Sequence, residues 1–282
     1  MRDLTSFFTK IDPKKEDPPR LAVSLDGLEK RGKTYWAIMT PPDPIAVISN
    51  DTGTENIVRM AMKKGRKIYG NGIFDVSFKT PDPKVIAAKN VDAEEHAAWQ
   101  TAWARYKEGI YKIIDDKTIR TVVKDTETGL YELAQLSTFG KLRSNARKDL
   151  WAELNAEYCK VFWDLYKGRP DLNIIMIHKS KKQYEKNSKG DEVWNGKYER
   201  AGHKDVGFQV DLTLNCQWDS TMKDFYTEID VNHPVRYMEN RDNLIGKKWF
   251  AADENDPSHF AILAMTVFPE TELDPGYWGW KG

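Results

Sequence analysis

The 282-residue sequence predicts an α/β fold with a mostly parallel central sheet flanked by helices and antiparallel strands at the C-terminal side. Short apolar runs alternate with helical stretches over residues 21–178, the pattern of right-handed β-α-β crossovers. The run LNIIMI, 172–177, is bounded by turn residues, as a buried strand is. The later runs 208–218 and 224–231 alternate polar and apolar residues at close spacing, which predicts antiparallel neighbours.

The remaining elements follow from local signals. Lys33 opens a helix that Pro41 and Pro42 end, because proline disfavours helical backbone in the residue before it. Gly168 and Pro170 end a long later helix in the same way. In chain order, the other predicted elements are strands at 21–25, 45–49 and 118–123, helices near 55–67, 92–113 and 143–167, and irregular structure or a hairpin at 68–90.

The amino-acid composition argues against several classes of function. Lysine plus arginine and aspartate plus glutamate number 43 each, so nucleic-acid binding would have to rest on local patches. No apolar stretch approaches the roughly 20 residues of a membrane-spanning helix, and the N-terminus lacks the apolar core of a secretory signal. Cys159 and Cys216 cannot form a disulfide framework or a four-cysteine zinc site, and we expect reduced thiols. These observations predict a cytoplasmic protein without a membrane partner.

The stretch DGLEKRGKT, 26–34, matches the phosphate-binding loop G-x-x-x-x-G-K-[ST] and lies between a predicted strand and a predicted helix, as that motif requires. Glycines let backbone N–H groups approach phosphate oxygens, and the following helix adds its positive dipole end. Lys33 would reach the β- and γ-phosphates, and the Thr34 hydroxyl would ligate Mg²⁺. The predicted nucleotide-binding residues are Gly27, Leu28, Glu29, Lys30, Arg31, Gly32, Lys33, Thr34 and Tyr35.

A phosphate-binding loop also needs a carboxylate on a neighbouring strand to hold Mg²⁺. The run TIRTVVKDTET delivers Asp125 at its C-terminal end, where α/β sheets bind ligands, and Thr126 or Glu127 could assist. The alternative is a surface strand that ends in a solvated aspartate, which Arg120 and Lys124 favour.

Hydrolysis needs a group that orients water. The corner NDTGTE places Asp51 and Glu55 at the same sheet edge, where either could be the general base or an N-cap of the next helix. His178 ends the 172–177 strand and could contact the γ-phosphate, or be a capped or solvated histidine. The predicted catalytic residues are Lys33, Asp51, Glu55, Asp125 and His178.

A basic segment follows directly. Residues 178–204 hold eight lysines and arginines against four acids, with three aromatic residues interleaved. Cations neutralise phosphates and aromatic rings stack on bases, a combination suited to single-stranded nucleic acid. DEVWNGKYER also predicts a hairpin turning at Asn195-Gly196, and the alternative is a solvated surface hairpin. The predicted nucleic-acid contacts are Lys179, Lys181, Lys182, Tyr184, Lys186, Trp194, Lys197 and Arg200.

With these motifs in this order, the chain resembles the RecA-like P-loop ATPases, most closely phage-encoded members related to phage recombinases. The resemblance covers about residues 18–235 and rests on GLEKRGKT, IAVISNDTGTE, TVVKDT and NIIMIHKSKKQY, followed by the two closing strands. It implies ATP and Mg²⁺ as cofactors, single-stranded DNA as partner, and homo-oligomeric rings or filaments with ATP between subunits. A single-strand binding protein is a further candidate partner, and a phage-encoded protein would act in the cytoplasm of a bacterial host.

The resemblance also implies a domain division: a flexible arm at 1–17, an ATPase core at 18–235 and a C-terminal extension at 236–282. The core would contain an insertion at about 68–117 and the basic loop 178–206. The closing strand has Asp230 and Asn232, with Arg236 further on, where the family often carries a basic residue that acts across the subunit interface. Trp278 and Trp280 could dock on a neighbouring subunit or cover an edge of their own core.

The expected function is therefore a DNA-stimulated ATPase in recombination, annealing or replication. Two alternatives stay open: a nucleotide-switched DNA-binding or loading module with little hydrolysis, and a small-molecule P-loop kinase.

Overall fold

A computed structural model describes residues 20–79, 92–142, 148–188, 190–203, 209–222, 224–229, 247–250, 259–268 and 275–278, together with Val206. The predicted arm at 1–17, the residues Asp230, Asn232 and Arg236 and the tail residue Trp280 lie outside these ranges. Among the helices of the described ranges, none has the length and apolar character needed to cross a membrane.

The central sheet has eight strands and confirms the predicted fold class. They are β1 (Ala22–Asp26), β2 (Ile45–Ser49), β3 (Phe74–Asp75), β4 (Thr121–Asp125), β5 (Asn173–Ile177), β8 (Leu212–Asp219), β9 (Asp224–Ile229) and β10 (Lys248–Phe250). Their order is β10-β9-β8-β1-β5-β4-β2-β3. The six strands from β8 to β3 run parallel, whereas β9 and β10 are antiparallel to their neighbours.

In the described ranges, helices pack on both faces of the sheet: α1 (Lys33–Met39), α2 (Thr54–Lys63), α3 (Ala93–Asp115), α4 (Glu127–Phe139), α5 (Lys148–Gly168) and α6 (His259–Val267). The sequence patterns do not predict α4. Most of its first eleven residues are buried, so it lacks the polar face on which a helical period is recognised. The third predicted strand is shifted: β4 begins at Thr121 and includes Asp125.

Alternate residues of each strand face two separate cores. On β1, Val23 and Leu25 pack with α1, α2 and α6, whereas Ala22 packs with α3, α4 and α5. Trp278 is fully buried in the first core, where its ring stacks on Phe268. The described part of the tail therefore covers its own core, which decides between the two alternatives for Trp278.

A separate two-stranded ribbon follows β5 and consists of β6 (Ser180–Lys186) and β7 (Glu192–Arg200). The predicted turn at Asn195-Gly196 is wrong. The chain turns at 187–191, where Asn187 and Asp191 exchange hydrogen bonds. Gly196 lies inside β7 with φ 84°, and its neighbour Asn195 donates to Gln183 of β6 at the point where the pairing register shifts. The Asn-Gly pair thus makes a bulge instead of a turn.

Candidate nucleotide site and adjoining hairpin

The glycine-rich loop joins β1 to α1, and both motif glycines have backbone angles that favour glycine. Gly27 has φ 137° and Gly32 has φ 78°. A Cβ atom on Gly27 would lie 2.5 Å from the carbonyl oxygen of Cys216 on β8, so no side chain fits there. Leu28, Glu29 and Lys30 are exposed, and the residues from Arg31 to Tyr35 are half-buried. The loop is therefore fixed at its glycines and open to solvent between them.

The Lys33 side chain bends back over this loop. Its Nζ donates to the carbonyl oxygens of Gly27 at 2.6 Å and Leu28 at 2.7 Å. Burial lowers the pKa of Lys33, an effect that the nearby carboxyl group of Asp125 opposes. The Lys33 amine is therefore held against the backbone of the phosphate-binding loop by two of its carbonyl groups.

Asp125 lies at the end of β4 beside the first turn of α1. Its Oδ2 accepts hydrogen bonds from the hydroxyls of Thr34 at 3.0 Å and Thr54 at 2.6 Å, and Thr54 in turn accepts one from Ser49 at 2.9 Å. The Asp125 side chain is nearly fully buried, and burial raises its pKa even though the two hydroxyls act in the opposite direction. The predicted pair of Thr34 and Asp125 is thus brought into contact.

The donor set fits a hard divalent cation. Mg²⁺ is held in proteins by one or two carboxylates together with phosphate and water oxygens, and a hydroxyl oxygen and a carboxylate oxygen lie together here. Within the described ranges no cluster of three or more His, Cys, Asp or Glu side chains could hold a metal by itself. Thr34 and Asp125 would therefore need oxygen ligands from a bound nucleotide and from water.

The two predicted base residues differ in their surroundings. Asp51 is exposed, accepts a hydrogen bond from the Gly53 amide at 2.8 Å, and contributes to the raised pKa of Asp125. Glu55 points to the surface and forms an ion pair with Arg59 one helical turn on. Thr54 lies in the same corner and is not identified by the sequence patterns, because its role depends on the sheet order that brings it to Asp125.

His178 is fully buried rather than open to the loop. Its Nδ1 lies 3.3 Å from the carbonyl oxygen of Ala201 at the end of the hairpin. Burial lowers its pKa well below the usual range, and the neighbouring Arg200 adds to this effect, so the imidazole is neutral. A contact between His178 and a γ-phosphate would require the ring to leave this position.

On the other face of β4, Lys124 and Glu127 form a buried ion pair. Lys124 donates to Glu127 at 2.9 Å, both side chains are nearly fully buried, and the Tyr158 hydroxyl also donates to Glu127. Glu127 is thus engaged away from Asp125, which argues against the assisting role predicted for it. The alternative of a surface strand is wrong as well, because every residue of β4 is buried.

Two hydroxyls hold the base of the hairpin. The Thr128 hydroxyl on α4 donates to the Ala201 carbonyl at 3.1 Å and accepts from the Lys179 amide at 3.0 Å, so it joins the two ends of the ribbon. The Ser180 hydroxyl accepts from the Gly27 amide at 3.2 Å, so the hairpin is also bonded to the phosphate loop.

Four of the predicted nucleic-acid residues form one exposed cluster on the ribbon. Lys182 pairs with Tyr198, and Tyr184 pairs with Trp194. The Lys182 ammonium lies 4.8 Å from the centre of the Trp194 ring, and the Trp194 and Tyr198 rings are 5.9 Å apart. The other predicted residues lie elsewhere on the same hairpin: Lys179, Lys181, Lys186, Lys197 and Arg200.

Comparisons with known proteins give matches among solved structures alone. No family model and no curated protein matches the chain. Among solved structures, it matches the crystal structure of the RadB recombinase with a TM-score of 0.41 and 15% sequence identity, over 77% of this chain and 84% of that chain. Proteins this dissimilar in sequence need not share an activity or a partner.

Proposed function

We propose that this protein is a RecA-like P-loop ATPase that binds ATP with Mg²⁺ and acts on single-stranded DNA. The observation that carries the proposal is the contact between the Thr34 hydroxyl and the buried Asp125 carboxylate beside a glycine-shaped loop that holds the Lys33 amine. A loop lysine, a hydroxyl and a strand-end carboxylate are the parts that phosphoryl transfer on a P-loop requires.

Each residue has a distinct task in this proposal. Lys33 would transfer its hydrogen bonds from the Gly27 and Leu28 carbonyls to the β- and γ-phosphate oxygens. Thr34 and Asp125 would hold Mg²⁺, which neutralises charge that develops on the phosphates. Asp51 is the better candidate for orienting water, because it is exposed and electrostatically coupled to Asp125, whereas Glu55 is engaged by Arg59.

The hairpin supplies the DNA part of the proposal. Its aromatic and cationic side chains are solvent-exposed on one surface, where Tyr184, Trp194 and Tyr198 are each about half exposed. Such a surface stacks on bases and neutralises phosphates without reading sequence. The same proposal includes a homo-oligomer with ATP bound between subunits, and a single-strand binding protein as a further partner.

The test is ATP hydrolysis measured with and without oligo-dT in the wild type and in Lys33→Ala. We expect hydrolysis that oligo-dT stimulates and that Lys33→Ala abolishes. Lys63→Ala, which removes an exposed lysine at the far end of α2, is the matched control and should hydrolyse ATP at the wild-type rate. A rate that is unchanged in Lys33→Ala would contradict the proposal. Mg²⁺-dependent ATP binding without turnover would favour the nucleotide-switched module.

A further inference from the structure

A cavity of about 880 Å³ separates the phosphate loop from the hairpin. One wall is formed by Gly27, Leu28 and Arg31 of the loop, and the opposite wall belongs to the hairpin. The end of β8, with Trp218, closes a third side. The volume lies within the range of ligand sites, and the proposed catalytic steps do not use this space.

Trp218 presents a fixed aromatic surface to the cavity. Its ring packs edge-on against Phe225 with the centroids 4.8 Å apart, and 40% of the residue remains exposed. Phe225 in turn lies against the phosphate loop, because a Cβ atom on Gly32 would be 3.0 Å from its ring. The indole is therefore positioned by the loop and has surface left for a ligand.

Two aromatic surfaces border this region. Trp218 lies at the cavity, and Trp194 and Tyr198 belong to the exposed cluster on the neighbouring hairpin, where Tyr198 also borders the cavity. A chain of bases can contact both surfaces, whereas one free nucleotide would use only one of them.

Cations line the same space. Arg31, Lys181 and Lys197 border the cavity, together with the acidic residues Asp26 and Glu199. The two acids have local partners, since the Ser24 hydroxyl donates to Asp26 at 3.0 Å and Lys181 lies 3.1 Å from Glu199. Arg31 and Lys197 therefore give the cavity the positive groups that a phosphate backbone requires.

We propose that the cavity seats a nucleobase of single-stranded nucleic acid, stacked on Trp218, with the adjoining phosphates held by Arg31 and Lys197. The inference rests on the proposed function and names the path of the strand within it. The cavity borders Asp26 at the end of β1, and Arg200, which also lines it, donates to Ser24 on the face of β1 opposite to Leu25 and α1, whereas Thr34 and Asp125 meet on the α1 side. The strand and the triphosphate would thus use opposite sides of one loop.

The test measures the affinity for fluorescein-labelled oligo-dT in Trp218→Ala, Trp218→Phe and Trp194→Ala. Loss of the aromatic ring on which one base stacks weakens the binding of a single strand by about fivefold or more. We expect that loss for Trp218→Ala and a smaller loss for Trp218→Phe, which keeps an aromatic ring. Tyr69→Ala is the control: it removes a half-exposed ring beside Ile68, which pairs with the first residue of β2 at the opposite edge of the sheet, and should leave the affinity unchanged.

A second measurement uses wild-type protein labelled with 5-fluorotryptophan. The ¹⁹F signal absent from Trp218→Phe belongs to Trp218, and we expect oligo-dT to shift it and ATP with Mg²⁺ alone to leave it in place. The inference is overturned if Trp194→Ala weakens binding while Trp218→Ala does not, a result that leaves the proposed function standing. A Trp218 signal that moves with ATP and not with oligo-dT also overturns it. Absence of oligo-dT binding in the wild type removes both the DNA part of the proposed function and the inference.

Discussion

Two successive charged residues of β4, Lys124 and Asp125, are both buried but have different partners. Lys124 is 1% exposed and lies 2.7 Å from the carboxylate of Glu127. Asp125 is 2% exposed, and its Oδ2 accepts from the neutral hydroxyls of Thr34 and Thr54. A buried charge beside an opposite charge is a completed structural group, whereas a buried carboxylate that accepts from neutral hydroxyls can also bind a cation.

The pKa shifts of the two residues follow the same difference. Burial by itself lowers the pKa of Lys124, but the carboxylate of Glu127 and the hydroxyl of Tyr106 together more than offset this and the pKa is raised, which favours the charged amine. Burial raises the pKa of Asp125, and the hydroxyl hydrogen bonds offset only part of the effect. The folded protein therefore favours the charged form of Lys124 on one face of β4 and disfavours the charged form of Asp125 on the other.

The largest effect on stability is expected for Lys124→Met. The substitution leaves Glu127 buried without its cation, and such a loss lowers the free energy of unfolding by about 3–5 kcal/mol. Urea unfolding measures the change. The double substitution Lys124→Met with Glu127→Leu removes both charges and should recover most of the loss. If the double variant is as unstable as the single one, the ion pair is not what Lys124 contributes.

A smaller effect is expected for Thr54→Val, which removes a hydroxyl that donates to Asp125. Hydrogen bonds to charged groups contribute about 1.5–3 kcal/mol, so urea unfolding should show a loss of roughly that size or less. Thr54→Ser keeps the hydroxyl and is the matched control. Because Val keeps the methyl group, a loss in Thr54→Val that is no larger than the loss in Thr54→Ser would contradict a contribution from the hydrogen bond.

The smallest change in stability, and of opposite sign, is expected for Asp125→Asn. The pKa of Asp125 is raised in the folded protein, so its ionisation becomes unfavourable for folding as the pH rises above the unfolded value of about 4. Asn removes that charge and should raise the thermal midpoint at pH 7, with an advantage that disappears below about pH 4. Mg²⁺-dependent nucleotide binding should be lost. A midpoint that is lower than the wild type at neutral pH would contradict this account of Asp125.

Sequence reasoning could predict the parts of the site that have local signals. The loop 26–34 and Asp125 follow from a motif and from the end of an apolar run, and the fold class follows from the alternation of strands and helices. Thr54 and Thr128 could not be found in this way, because a threonine acquires its role only when the sheet order brings it to Asp125 or to the hairpin ends. The turn predicted at Asn195-Gly196 is wrong because the pairing of β6 with β7 outweighs the local turn preference of an Asn-Gly pair.

The position of β1 has a consequence for synthesis of the chain. Among the described strands it is the first to be made, but it lies between β5 and β8, which follow it much later in the sequence. At a translation rate of 5–20 residues per second, the roughly 150 residues that separate β1 from β5 take about 8–30 s to synthesise. Throughout that interval neither neighbour of β1 has been made, so both hydrogen-bonding edges of this apolar strand are open to pairing with another chain.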